Sequence, residues 1–127
     1  MSVKKIQKPV FSWNKMNVFH WHIVDAQSFP FQSAAIEKLS RGAFSTNHIY
    51  KIDEIAELIE FARLRGVRII PEFDTPSHTL SWRGAGDNVV IDCDRPHGTL
   101  DITNEENFEL IQKLFQEIKS IFKGLHS

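Results

Sequence analysis

The sequence contains a single cysteine, Cys93, among its 127 residues. One thiol cannot form an intramolecular disulfide, so the fold does not depend on one, and the redox compartment is left open. An excess of charge is also lacking, because the formal net charge is −1. Such a balance provides no general attraction to nucleic acid or to an anionic membrane. We therefore expect neither of them as a partner.

Long apolar runs are missing as well. No segment reaches the roughly 18–20 consecutive apolar residues that a membrane-spanning helix needs. The lysines near the start are not followed by an apolar segment of signal-peptide length, so we expect no signal peptide in this chain. The composition, with 42% hydrophobic and 24% charged residues, is typical of one modest globular domain. Without a repeat or a linker, residues 1–127 are expected to form one unit.

Two short apolar segments indicate β-strands. The segment NVFHWHIV, residues 17–24, is rich in β-branched and aromatic residues and is too short for a typical helix. The segment VRIIPEF, residues 67–73, has the same character. Its Pro71 lacks an amide donor, so we expect this proline near a strand end or at a bulge. Both faces of the first strand carry large apolar groups, which predicts a parallel strand that is covered on both sides.

Two amphipathic segments indicate helices. After Lys51, apolar residues recur at helical spacing, and Gly66 fits the position just beyond a helix end. A second helix is predicted to run from Thr103, which with Glu106 matches a capping box, to Gly124. We expect its apolar stripe to belong to the core and to face the sheet. The stripe consists of Phe108, Ile111, Phe115, Ile118 and Phe122.

The alternation of strands and helices predicts the α/β fold class with a parallel sheet. In such sheets the carboxyl ends of the strands share one edge, and ligands bind there. Asp25 follows the first predicted strand, while Glu72, Asp74 and His78 end or follow the second. We therefore expect these four side chains to converge in a polar pocket at one rim of the sheet.

His20 and His22 share one face of the first strand, a spacing that metal-dependent hydrolases with barrel folds use. A metal site would need further ligands from other strands, which Asp74 and His78 could supply. Both histidines, however, lie inside the strand and not at its mouth. We therefore expect buried, hydrogen-bonded core histidines, with no metal and no other cofactor. A metal-dependent hydrolase remains the alternative, which stoichiometric bound zinc would indicate.

Five long motifs follow one another along the chain: NKMNVFHWHIVD, SFPFQS, GAFSTNHIY, ARLRGVRIIPEFDTP and HTLSW. In order and spacing they resemble the catalytic barrel of the β-N-acetylhexosaminidases, glycoside hydrolase family 20, over residues 13–123. The similarity is greatest to animal lysosomal hexosaminidases. The resemblance implies a partial (β/α)8 TIM barrel with about three of the eight segments, since a whole barrel takes roughly 200–250 residues. It also implies a lysosomal or secreted parent protein that forms a homo- or heterodimer.

The resemblance assigns roles to particular residues. Asp25 matches the family's aspartate after the first strand, and His78 matches the histidine of an Asp-Thr-Pro-Gly-His motif. Both are implied to support the catalytic carboxylates. Glu72 and Asp74 match acidic positions of that motif, and Trp82 matches the tryptophan that closes it. The resemblance implies that these three residues bind substrate or support the residues that bind it. For a tryptophan such as Trp82, packing in the core is the more usual role.

The sequence departs from the family pattern at two positions beside these residues. Ala26 follows Asp25 where many relatives have a second aspartate. Ser77 replaces the usual glycine before His78, which predicts a disturbed turn if that position needs special backbone angles.

The implied reaction releases terminal N-acetylglucosamine or N-acetylgalactosamine from a glycan substrate. The sugar's own 2-acetamido carbonyl attacks the anomeric carbon, a glutamate serves as general acid and then base, and an adjacent aspartate orients the acetamido nitrogen. The Gly-Gly-Asp-Glu motif that carries this pair on the next strand is absent from the sequence. We therefore expect a partial sequence that is inactive alone. The alternative is a truncated, non-catalytic glycan-binding subunit that folds only with a partner.

Overall fold

The computed structural model describes residues 11–91 and 96–122, so Cys93 and Gly124 lie outside the described residues. No helix within these ranges is long and apolar enough to cross a membrane. The strands and α-helices are β1 (Val18–His22), α1 (Ile52–Arg63), β2 (Arg68–Glu72), β3 (Val90–Ile91), β4 (Thr99–Leu100) and α2 (Glu105–Ile121). Short 3₁₀ helices occupy Glu37–Gly42, Thr46–His48 and Leu80–Gly84.

Strands β1 and β2 are parallel neighbours, with His22 opposite Glu72 at their carboxyl ends. Both predicted strands and their parallel pairing are therefore confirmed, each strand being slightly shorter than predicted. Pro71 lies opposite Trp21, one residue before the end of β2, as expected for a residue without an amide donor. Helix α1 forms the crossover, so both strands point the same way and end at the same edge.

Helix α1 begins and ends as its sequence predicts. The carboxylate of Glu54 accepts a hydrogen bond from the amide of Lys51 at 3.0 Å, which satisfies a donor that has no partner inside the helix. Ile55 and Ala62 bury the apolar face. Gly66 has a φ of +67°, a left-handed conformation that glycine adopts without steric cost.

The predicted start of helix α2 is wrong. Asn104 is the capping residue, and its side-chain oxygen accepts a hydrogen bond from the amide of Glu106 at 3.0 Å. Thr103 is occupied elsewhere, because its hydroxyl donates to the Asp101 carboxylate at 2.6 Å. Asparagine caps helices at least as well as threonine, so the helix begins at Glu105 and the capping box does not form.

The predicted apolar stripe of α2 is partly wrong. Ile118 is buried as expected, but the exposed fraction is 57% for Phe108 and 42% for Phe115. The buried face instead includes Leu114 and Asn107. The Asn107 side-chain amide donates to the backbone carbonyl of Asp101 at 2.9 Å, so a polar residue takes a core position with its hydrogen bonds satisfied.

Aromatic side chains dominate the core beside the sheet. The rings of Phe31 and Phe73 lie 5.3 Å apart edge to face, and those of Phe29 and Trp82 lie 5.4 Å apart. Helix α1 and the long connections pack against one face of the β1–β2 pair, where Ile69 is buried. On the other face nothing within the described residues covers the strand, so the prediction of a strand covered on both sides is not met in this chain.

Candidate active site

Asp25 and His78 form a hydrogen-bonded pair just beyond the carboxyl ends of β1 and β2. His78 Nδ1 lies 2.9 Å from Asp25 Oδ1. The same carboxylate oxygen accepts a bond from the amide of Ala26 at 2.6 Å, and the Ser81 hydroxyl donates to the Asp25 carbonyl at 2.6 Å. The backbone of Asp25 is also fixed, because its amide donates to the Ser28 carbonyl and its carbonyl accepts from the Ser28 amide, each at 3.1 Å. The Asp25 carboxylate is therefore held in one orientation, with an imidazole against it.

The backbone of His78 is unusual, with a φ of +62°. Residues other than glycine adopt this left-handed region seldom, although histidine does so more often than most. Ser77 has no positive φ and forms a bridge with Thr99. The disturbed turn predicted at Ser77 is thus not observed, because the special backbone angles fall on the histidine that follows. Unusual backbone angles of this kind concentrate at functional sites.

A second set of contacts joins the two strands at the same edge. His22 Nδ1 lies 2.8 Å from Glu72 Oε1, and His22 Nε2 lies 3.5 Å from Asp25 Oδ2. His20 contacts the other carboxylate oxygen of Glu72. The side chains of His20 and His22 are 64% and 42% exposed, so the prediction of buried core histidines is wrong. Both lie on the face of β1 that the described chain leaves uncovered.

The carboxylates at this edge have pKa values that move in opposite directions. The hydrogen bond from His78, and then that from the Ala26 amide, lower the pKa of Asp25. Burial, followed by a hydrogen bond with Glu72, raises the pKa of Asp74. The pKa of Glu72 is lowered, first by the bond from Asp74. The hydrogen bond between these two carboxyl groups thus raises the pKa of Asp74 and lowers the pKa of Glu72.

Trp82 is fully buried and packs against Phe29, so its ring is inaccessible to a sugar in this structure. Its indole Nε1 has no hydrogen-bond partner among the described residues. The 3₁₀ turn that holds Trp82 also carries Ser81, which anchors the Asp25 backbone. Trp82 thus stands behind the predicted site residues, and the four other residues converge as predicted.

Two residues near the pair were not anticipated from the sequence. One is Ser81, within the HTLSW motif. The other is His97, whose ring centroid lies 4.8 Å from that of His78. His97 precedes β4 in a connection without periodicity, so no pattern in the sequence indicates this contact.

The described residues therefore combine a parallel strand pair, a crossover helix and a histidine–carboxylate rim at the carboxyl ends of the strands. The family model for the catalytic domain of glycosyl hydrolase family 20 matches residues 1–126, so the chain belongs to this family, as its motifs indicate. The chain is 42% identical over 130 residues to "Beta-hexosaminidase A" of Caenorhabditis elegans, an alignment covering 96% of this chain and 23% of the relative. It is 41% identical over 131 residues to "Beta-hexosaminidase subunit beta" of Mus musculus, covering 96% and 24%.

Solved structures share the same backbone arrangement. The chitobiase of Flavobacterium johnsoniae superposes with a TM-score of 0.82 at 30% identity, over 94% of this chain and 19% of that protein. The β-N-acetylhexosaminidase of Bacteroides fragilis gives a TM-score of 0.83 over 97% of this chain and 27% of that protein; at 24% identity this likeness shows the fold alone. The chain spans about a quarter of the length of the curated relatives described above.

Proposed function

We propose that residues 1–127 belong to the catalytic domain of a β-N-acetylhexosaminidase-type glycoside hydrolase. The domain would be a (β/α)8 TIM barrel of which this chain supplies about three of the eight segments. Membership of the family supports the reaction class. The observation that carries the proposal is the Asp25–His78 hydrogen bond beyond the carboxyl ends of β1 and β2, because ligands of barrel enzymes bind at the carboxyl ends of the strands.

The proposed substrate is a glycan with a terminal N-acetylglucosamine or N-acetylgalactosamine. Hydrolysis proceeds with retention by the substrate-assisted route, in which the acetamido carbonyl of the sugar attacks the anomeric carbon. Asp25 and His78 act as a supporting network, because the Asp25 carboxylate fixes the orientation of the imidazole and favours its Nδ1 proton. Glu72 and Asp74 line the pocket beside this network, and Trp82 holds the turn behind it.

The chain alone is proposed to be inactive. The sequence contains no Gly-Gly-Asp-Glu motif, so it has no general acid of the family type. General acid–base catalysis typically contributes about 10²–10⁴-fold to the rate. The whole protein is proposed to be lysosomal or secreted, and relatives named as alpha and beta subunits support a homo- or heterodimer.

The proposal can be tested on the transcript that encodes this chain. Reading the transcript past the codon for Ser127 should reveal a continuous frame and a Gly-Gly-Asp-Glu motif on the next strand. The protein made from that frame should release 4-nitrophenol from 4-nitrophenyl N-acetyl-β-glucosaminide, while the 127-residue chain should not. Robust turnover by the chain alone would refute its inactivity. A stop codon directly after Ser127 would refute the hydrolase.

The uncovered face of the sheet favours a second candidate, a non-catalytic glycan-binding subunit that folds with a partner. Val18 and Ile70 are each 37% exposed on neighbouring strands, which is unusual for a parallel sheet. A partner could cover this face. Sedimentation velocity measures whether the chain is a monomer, and thermal melting measures whether it unfolds cooperatively. A monomer that melts cooperatively would count against partner-dependent folding.

A further inference from the structure

The same edge of the sheet holds a cluster of metal-ligand atoms beside the Asp25–His78 pair. One ligand atom from each of His22, Glu72 and Asp74 lies within 4.8 Å of the other two. A position inside the strand argues against metal binding by the histidines, but His22 is the last residue of β1 and its side chain is 42% exposed. We propose that this cluster binds one divalent transition-metal ion of the Zn²⁺ type, through His22, Glu72 and Asp74.

The donor set favours zinc over magnesium or calcium. One imidazole nitrogen and two carboxylate oxygens are common ligands of Zn²⁺, whereas Mg²⁺ and Ca²⁺ prefer oxygen alone. Three protein ligands leave a fourth position for water or a ligand. Zinc bonds of about 2.0–2.2 Å require the ligand atoms to approach to roughly 3.3 Å, so the cluster must contract. Rotation of partly exposed side chains at the strand ends can supply this movement.

The three ligand side chains are already in contact with one another. His22 Nδ1 lies 2.8 Å from Glu72 Oε1, and Glu72 also hydrogen-bonds to Asp74. Bonds to the ion would replace these contacts, so binding requires no rearrangement of the strands.

His20 is not one of the three proposed ligands, but it contacts one of them, Glu72. It lies two residues before His22 on the same strand face and contacts Glu72 Oε2, while His22 contacts Oε1. Partners of this kind orient a ligating carboxylate, and their loss typically weakens metal binding about 10–100-fold. The inference concerns ion binding by the chain, so it stands or fails independently of the proposed hydrolysis.

The test is isothermal titration of ZnCl₂ into the metal-free chain. The titration should saturate at one ion per chain. His22→Gln and Asp74→Asn should each weaken binding about tenfold or more. His48→Gln is the matched control, because His48 is an exposed histidine that bonds to Ser45 and lies outside the cluster. The control should bind zinc within about twofold of the original chain.

A paramagnetic probe keeps the inference testable if a variant loses its fold, as judged by circular dichroism. In the unaltered chain, substoichiometric Co²⁺ should broaden the imidazole resonances of His22 and leave those of His48 sharp. The absence of saturable zinc binding would overturn the inference. So would equal loss of affinity in the His22 and His48 variants, or equal broadening of the two imidazoles, since either result describes adventitious surface binding.

Discussion

Asp25 Oδ1 lies 2.9 Å from His78 Nδ1, although the two residues are 53 positions apart in the sequence. Asp25 follows β1 and His78 follows β2, so the parallel crossover through α1 brings them to one edge. The pair therefore depends on the fold and cannot exist in a local segment. Because this contact lowers the pKa of Asp25, it should affect how the stability of the chain depends on pH.

The first prediction concerns the acid stability of the chain. An aspartate titrates near pH 3.9 in an unfolded chain, and the folded pKa of Asp25 is lower. Its ionised form thus stabilises the fold above about pH 3.9, and this contribution is lost as the pH falls through the folded pKa. Between pH 5 and 2 the Tm of Asp25→Asn should fall less steeply than that of the original chain. Solvent screening limits the size of the difference, because the Asp25 side chain is 40% exposed.

The control for this prediction is Asp87→Asn, which alters an exposed carboxylate that precedes β3. Its Tm should follow the original chain over the whole range. Parallel Tm curves for the Asp25 variant and the original chain would show that the His78 contact contributes nothing to acid stability.

The second prediction has the opposite sign and concerns Asp74. Its folded pKa is raised, so the fold favours the protonated form, and that advantage is lost as the pH rises through the folded pKa. Asp74→Asn keeps a donor for Glu72 and removes the half-buried ionisable group. Its Tm should exceed that of the original chain at pH 7 and match it near pH 3, whereas the exposed Asp87→Asn should show no such change. A lower Tm at pH 7 would contradict the account.

The third prediction compares two tryptophans. Trp82→Ala should lower the free energy of unfolding by about 3–5 kcal/mol, because it removes a fully buried ring from the aromatic core. Trp13→Ala should change it by less than about 0.5 kcal/mol, since Trp13 is 76% exposed. Urea titration followed by circular dichroism measures both. Similar losses for the two variants would mean that Trp82 does not pack as described.

The fourth prediction concerns Glu117, which ties α2 to the segment that follows β1. Its carboxylate accepts hydrogen bonds from the Ser33 hydroxyl at 2.5 Å and the Ala34 amide at 2.6 Å. Glu117→Ala should cost about 1–3 kcal/mol, because Ser33 is buried. It should also speed hydrogen exchange at Ala34. Glu109→Ala, on the exposed face of α2, is the control, and unchanged exchange at Ala34 would contradict the role.

Local periodicity was enough to predict β1, α1 and β2, because each segment carries apolar residues at the spacing of its own structure. The convergence of Asp25 with His78 then followed from the rule for parallel strands. Helix α2 was harder, since the capping choice between Thr103 and Asn104 rests on hydrogen bonds that no local pattern specifies. Asn107 illustrates the same limit, because its burial depends on the backbone carbonyls of Val89 and Asp101, which lie outside the helix.

The histidines of β1 show why the site was only partly predictable. Alternation correctly placed His20 and His22 on one face, but whether that face is covered depends on elements beyond the strand. Their bonds to Glu72 were not anticipated either, since they need the strand register of β1 against β2. The contact between His97 and His78 likewise joins two irregular connections, which carry no periodic signal.

We propose that Asp25 supports a hexosaminidase site, and steady-state kinetics of the protein made from the complete transcript tests this proposal most directly. With 4-nitrophenyl N-acetyl-β-glucosaminide, Asp25→Asn should lower kcat by about tenfold or more and shift the pH profile, while Asp53→Asn leaves both unchanged. Equal kcat values and superimposable pH profiles for the Asp25 variant and the unaltered protein would contradict the account.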